Sequence, residues 1–201
     1  MTDPATPRRG AIDPRVEADL PGLALWELTA PSALHRRRDP DVRDRLRELA
    51  GRITGAVAIE ARQDEIVHAY RVAFRHTGLD PDVDRTPYEA ALVERLRHGG
   101  FPSRDVITDA LLLALLDTKV AVVACDDASL RGPLHLTLED GAVVLADDDR
   151  TVIPLWEEPV RELLPTADTV AVRLAAVTPA GVPAVAAWEA LDRVADLVAP
   201  G

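Results

Sequence analysis

Apolar and polar positions along the chain divide it into mostly helical segments first and strand-like segments later. Gly22 to Thr29 alternates apolar and mixed side chains and predicts a first strand. Asp39-Pro40 then opens a helix, with Asp39 as N-cap, Pro40 at the first position, and Val42, Leu46, Leu49 and Ile53 on one face. A second helix is predicted over Ala58 to Thr77, with Ile66, Ala69, Tyr70, Ala73 and Phe74 as its stripe and Gly78 as its stop. Thr86-Pro-Tyr-Glu89 reads as a capping box whose helix runs to His98 and ends at Gly99-Gly100. Ser103 to Leu116 is apolar nearly all round, the signature of a central buried helix.

Beyond that helix the period shortens. Val120 to Cys125 is a β-branched strand, Leu134 to Leu145 a hairpin turned at Asp140-Gly141, and Thr151 to Trp156 and Thr169 to Val177 are further strands. A last amphipathic helix over Pro183 to Val198 places Trp188, Leu191 and Ala195 inward. No repeat or low-complexity linker interrupts this order. It predicts one α+β domain over residues 20–201, with a mixed or antiparallel sheet packed against helices. Residues 1–19 begin MTDPATPRRGAIDP, with proline and charge in place of a secretory apolar region, and predict a flexible N-terminal tail.

Composition narrows the function classes. The longest apolar run, Ala110 to Leu116, is far short of the roughly 20 residues of a membrane helix, so no membrane span is expected. The single cysteine, Cys125, excludes an internal disulfide and sits in an apolar run, which implies packing and a reducing, cytoplasmic setting. The five histidines show no metal spacing, and no glycine-rich phosphate loop, nucleophile elbow or Ser/His/Asp pattern occurs; neither metal nor cofactor is expected.

A net charge of −11 speaks against DNA and casual nucleic-acid binding. The charge is uneven, however. Residues 1–104 carry 17 Arg against 17 Asp or Glu, whereas residues 105–201 carry 6 basic against 17 acidic side chains. An RNA-facing surface would therefore lie in the first half, with Arg36, Arg37, Arg38, Arg43, Arg45 and Arg47 as candidates. The alternative is that Arg43 to Arg47 line a solvated helix face beside Asp44 and Glu48.

Between Ala69 and Asp126 the punctuation becomes specific: Tyr70-Arg71, Gly78-Leu-Asp-Pro81, Arg85-Thr86 with Glu89 and Ala90, Gly99-Gly100-Phe-Pro102, Asp105 with Asp109, and Cys125-Asp126. Gly132, the strand His135 to Glu139, Val144 to Asp147 and Thr166-Ala-Asp-Thr169 follow in order. This order resembles the editing domain of the phenylalanyl-tRNA synthetase beta subunit and its freestanding relatives, over roughly residues 20–198. The resemblance implies a domain that binds aminoacyl-tRNA and hydrolyses a wrongly attached amino acid in trans. Such a site works by selective hydrogen bonding: one that bonds a phenolic hydroxyl rejects the analogue lacking it by about 10⁴–10⁵. Hydrolysis itself needs a positioned water and a stabilised oxyanion, with no covalent nucleophile.

Carried over residue by residue, the resemblance places Asp105, Thr108, Leu112, Val123 and Trp156 at the substrate pocket, and Asp109 and Glu162 as catalytic candidates, with Glu157 and Glu158 behind Glu162. Leu112 stands where the family has an Asn, and Val123 where the synthetase-embedded domains have a His. Those two apolar substitutions motivate an alternative: a catalytically retired editing fold that holds an amino acid-like small molecule. The acidic second half suggests a third reading, a protein-interaction adaptor. Asp105 stands near a helix start, where capping is as natural a role as binding. Asp109, one turn into an apolar helix, needs a partner, with Arg104 and Arg71 as candidates.

Overall fold

In the computed structural model, residues 6–35, 40–101, 103–157 and 160–200 are described. Of the residues singled out above, Arg36, Arg37, Arg38, Asp39, Pro102 and Glu158 lie outside them. The centre of the molecule is the antiparallel pairing of β3 (Ala24–Pro31) with β8 (Ala171–Thr178), in register from Ala24 opposite Thr178 to Pro31 opposite Ala171. β4 (Val123–Asp126) flanks β8, and β1 (Arg8–Arg9) flanks β3. Both faces of this sheet are covered. Leu28, Ala30, Val172, Leu174 and Ala176 pack on one side under two helices, while Leu25, Cys125 and Ala175 point the other way into a second sheet.

That second sheet runs β2-β5-β6-β7, with β2 (Ala11–Ile12) parallel to β5 (His135–Glu139), and β6 (Ala142–Ala146) and β7 (Thr151–Pro154) antiparallel. The β5–β6 turn has positive φ at both Asp140 (49°) and Gly141 (81°), the handedness that matches strand twist in a two-residue hairpin. The fold is α+β, with two sheets in place of the one expected.

The helices are α1 (Pro14–Asp19), α2 (Pro40–Arg52), α3 (Gly55–Glu60), α4 (Glu65–His76), α5 (Pro87–His98), α6 (Val106–Thr118) and α7 (Ala184–Val198). Four differences from the sequence reading have identifiable causes. From residue 6 on, the supposed tail is built in: β1 and β2 join separate sheets, and Val16, Leu20 and Leu23 are buried in the core of the second sheet. Gly10 sits at the crossing, where a Cβ would collide with the Leu25 side chain. The helix expected over 58–77 is broken at Asp64, whose carboxylate caps α4 by accepting from the Ile66 and Val67 N–H groups (3.0 and 3.4 Å) and binds Lys119 Nζ at 2.6 Å.

The Thr86–Glu89 capping box does not form as such. The Glu89 carboxylate is drawn inward to Arg71, Nη1 to Oε1 at 2.7 Å, and the Thr86 hydroxyl donates to its other oxygen at 2.8 Å. Finally, Trp188 is 39% exposed; the inward stripe of α7 runs through Ala187, Ala190, Leu191 and Val194, and Trp188 instead meets Trp26 edge to face at 5.5 Å.

Two stability tests follow from these contacts. Arg71 and Glu89 are both nearly enclosed, and Arg71 also binds Asp82 at 2.8 Å and the Pro81 carbonyl at 3.3 Å. Removing one partner of a buried pair strands the other, so Glu89→Ala is expected to cost about 3 kcal/mol in urea unfolding. At the other end of the chain, Asp13 caps α1 and is bonded by Arg15, which lowers its carboxyl from 3.8 to about 2. A carboxyl depressed on folding stabilises above its unfolded value and loses that contribution as pH falls through the folded one. The thermal midpoint of Asp13→Ala is therefore expected to lie below wild type at pH 5 and to converge on it near pH 2.

Candidate functional site

α6 is apolar on every side, but only two of its sides are covered. Val106, Ala110 and Ala114 face the first sheet and α7, and Leu113 and Leu116 face α2 and α5. The remaining stripe, Arg104, Thr108, Leu111 and Leu115 with Asp105 and Leu112 beside it, repeats at helical spacing and walls a cavity of about 760 Å³. The opposite walls come from Asp84 and Arg85 ahead of α5, from Val123 on β4, and from Leu155, Trp156 and Glu157 in the turn after β7. All five expected pocket residues, Asp105, Thr108, Leu112, Val123 and Trp156, line this one cavity.

Their chemistry differs from position to position. Asp105 caps α6: its oxygens accept from the Thr108 N–H at 2.7 Å and the Thr108 hydroxyl at 3.0 Å, so the hydroxyl proton is committed to the cap. Leu112 and Val123 make their part of the wall apolar. Trp156 has a left-handed backbone (φ 71°), and its ring is wedged against Tyr70 and Phe74 at centroid distances of 5.3 and 5.2 Å. Among the described residues its indole N–H is enclosed without a hydrogen-bond partner. Tyr70 anchors this wedge by donating to the Val177 carbonyl at 3.1 Å, and burial pushes its phenol well above the ordinary tyrosine range despite a backbone hydrogen bond from Ala121. The turn entering β8 is fixed by Thr169, whose hydroxyl accepts from the Thr166 N–H at 2.9 Å.

The two expected catalytic carboxylates do not join the cavity lining. Asp109 is 2% exposed; one oxygen accepts from the Arg104 N–H at 3.0 Å and the other from the Ser103 hydroxyl, so it ties down the turn that leads into α6. Of its two candidate partners, Arg104 contributes only its main chain and Arg71 is committed to Glu89. Glu162 is exposed on a single helical turn, Arg161–Leu163, that is held down by the fully buried Leu163. The carboxylate that does reach the lining from this region is Glu157.

The arginine face of α2 is a ladder of local pairs. Arg47 binds Asp44, Arg45 binds Glu48 at 2.8 Å and Asp117 at 3.5 Å, and Arg52 binds Glu48. Arg43 is exposed beside them, and neither it nor Arg47 lines the cavity. Sequence reasoning missed Arg85, Arg104 and the stripe Ile107, Leu111 and Leu115 as lining residues. The helical period through Thr108 and Leu112 could have found the stripe. Arg85 depends on a left-handed backbone (φ 54°) that no local pattern announces. Among the described residues no group of three or more His, Cys, Asp or Glu side chains could hold a metal ion.

Asp109→Asn tests the structural role of that carboxylate. Losing one of its two acceptors is expected to cost about 1–3 kcal/mol in denaturant unfolding, while ligand affinity of the folded protein stays at the wild-type value. A comparison of the chain with protein-family models gives no match, and a comparison with curated proteins gives none either.

Proposed function

We propose that this domain binds aminoacyl-tRNA, with the cavity beside α6 receiving the aminoacyl group. The observation that carries the reading is the convergence of Asp105, Thr108, Leu112, Val123 and Trp156, drawn from three separated stretches of chain, on one cavity of about 760 Å³. These are the positions that the editing-domain resemblance assigns to a substrate pocket, and the α+β order of elements fits that resemblance. An amino-acid side chain fills only part of such a volume, which leaves room for the ester and the terminal ribose. The placement of Asp109 and Glu162 favours binding over cutting: one is engaged in holding the backbone and the other stands off the lining. Any ester hydrolysis in trans would rest on Glu157 to orient water, and loss of a positioned base removes about 10²–10⁴ in rate.

The apolar wall made by Leu112 and Val123 supports a second reading, in which the same pocket holds a free amino acid or a similar small molecule.

Fluorescence anisotropy at low salt, with leucylated, phenylalanylated and uncharged tRNA, decides between them. The first reading expects charged tRNA to bind more tightly than uncharged, and Leu112→Trp, which fills the cavity from α6, to weaken charged tRNA by about tenfold or more. Release of free amino acid in the same samples measures hydrolysis. Absence of binding by any tRNA removes the first reading; thermal stabilisation by free amino acids in that case supports the second.

A further inference from the structure

The cavity has an apolar floor and a rim that carries two guanidinium groups, Arg85 and Arg104, and three carboxylates, Asp84, Asp105 and Glu157. Leu111, Leu112 and Val123 supply floor and wall, while Arg85 approaches from the loop ahead of α5 and Arg104 from the residue before the cap of α6. Among the described residues the neighbouring carboxylates form no direct ion pair with these arginines, although their charge remains beside them. Asp105 accepts from the Thr108 N–H and hydroxyl at 2.7 and 3.0 Å, and one oxygen of Asp84 accepts from the Asp80 N–H at 2.8 Å. Among the described residues neither guanidinium forms an ion pair, although Arg71, Arg62, Arg45 and Arg173 all do. Glu157, the third lining carboxylate, is exposed and also forms none.

Arg85 carries a second mark. Its φ of 54° is a conformation that Asn or Gly adopts at less cost, so a long cation stands at the rim where the backbone favours a small residue. A guanidinium beside an apolar wall forms stronger charge-assisted bonds than one in bulk water, and its planar fork matches two oxygens of a phosphate or carboxylate.

We infer that the ligand of this pocket carries an anionic oxygen group next to an apolar body, with Arg85 and Arg104 holding the anion and Leu111, Leu112 and Val123 taking the body. The inference deepens the aminoacyl-tRNA reading and rests on it only where the anion is the tRNA's own phosphate. Two sources supply the chemistry: the phosphate 5′ to the terminal adenosine of an aminoacyl-tRNA, or the carboxylate of a free amino acid.

Isothermal titration with two pairs of probes tests it. The first pair is 3′-leucylamino-3′-deoxyadenosine with and without its 5′-phosphate; the second is L-leucine and L-leucinamide. In at least one pair, the anion-bearing member is expected to bind about tenfold tighter or more. A preference in the first pair assigns the tRNA terminus, and one in the second assigns the free amino acid. In Arg85→Asn and Arg104→Gln that preference falls to about twofold or less while the probe lacking the anion binds as before. Arg85→Asn also keeps or raises the thermal midpoint, because Asn tolerates the left-handed backbone, so a lost preference is not a lost fold.

The inference is overturned if no probe binds, if neither pair shows a preference, or if the preference survives both substitutions. A carboxylate preference that depends on the arginines, in a protein that ignores every tRNA, keeps the inference and removes the aminoacyl-tRNA reading.

Discussion

A helix that is apolar on every side has to be enclosed by the rest of the chain, and α6 imposes that demand here. Between Val106 and Leu116 its only strongly polar side chain is Asp109, and that carboxylate turns back to bond the chain just ahead of the helix. Transferring a Leu-sized side chain out of water contributes about 1.5–3 kcal/mol, so the apolar groups on α6 supply the main favourable term against the cost of ordering neighbours around them. One side meets the first sheet and α7 and another meets α2 and α5. The third side is covered only loosely, by chain coming from the second sheet and from the loop ahead of α5. The cavity is the gap left on that side.

What stands across the gap is fixed by contacts that are not themselves part of it. The Arg71–Glu89 pair joins α4 to α5 and, through Asp82 and Pro81, holds the loop that carries Asp84 and Arg85. Trp156 is set by a left-handed backbone and by Tyr70 and Phe74 of α4, so α4 supports two walls at once. Leu145 and Ile153 bring the second sheet into the lining, and the N-terminal strap, with β1 on one sheet and β2 on the other, ties that sheet to the first. Loosening α4 or the strap would therefore change the pocket without touching a residue in it.

The sequence was most readable where a long pattern decided the outcome. The period of α2 through Leu46 and Leu49, the Gly99 stop with its φ of 75°, the Asp140-Gly141 hairpin and the burial of α6 all follow from local signals that agree with their surroundings. Reading failed where structure rests on pairs of residues far apart. β1 and β2 are two residues each, too short to show a period, and exist because their partners β3 and β5 are already in place. The break at Asp64 depends on Lys119, 55 residues away, and the committed state of Glu89 on Arg71. At the site, the five positions taken from the resemblance line one cavity, but the sequence did not show which carboxylates hold the backbone. Asp105 and Asp109 are both engaged by the turn around the α6 cap, and that competition is visible only in the hydrogen bonds.

The division of labour inside the cavity limits how it can select a ligand. An apolar wall such as Leu111, Leu112 and Val123 discriminates by fit, at about 1–3 kcal/mol per methylene. It gives no strong way to reject a side chain of the right size that merely adds a hydroxyl, since no polar group on that wall is left unpaired by the wrong choice. Stronger discrimination needs groups whose hydrogen bonds go unmade with the wrong ligand, and in this lining the charged groups stand at the rim, on Asp84, Arg85, Arg104, Asp105 and Glu157. Selection on the apolar body of a ligand is therefore coarse. On the proposed reading the finer selection falls on whatever that body is attached to, which is the part of an aminoacyl-tRNA that differs from a free amino acid.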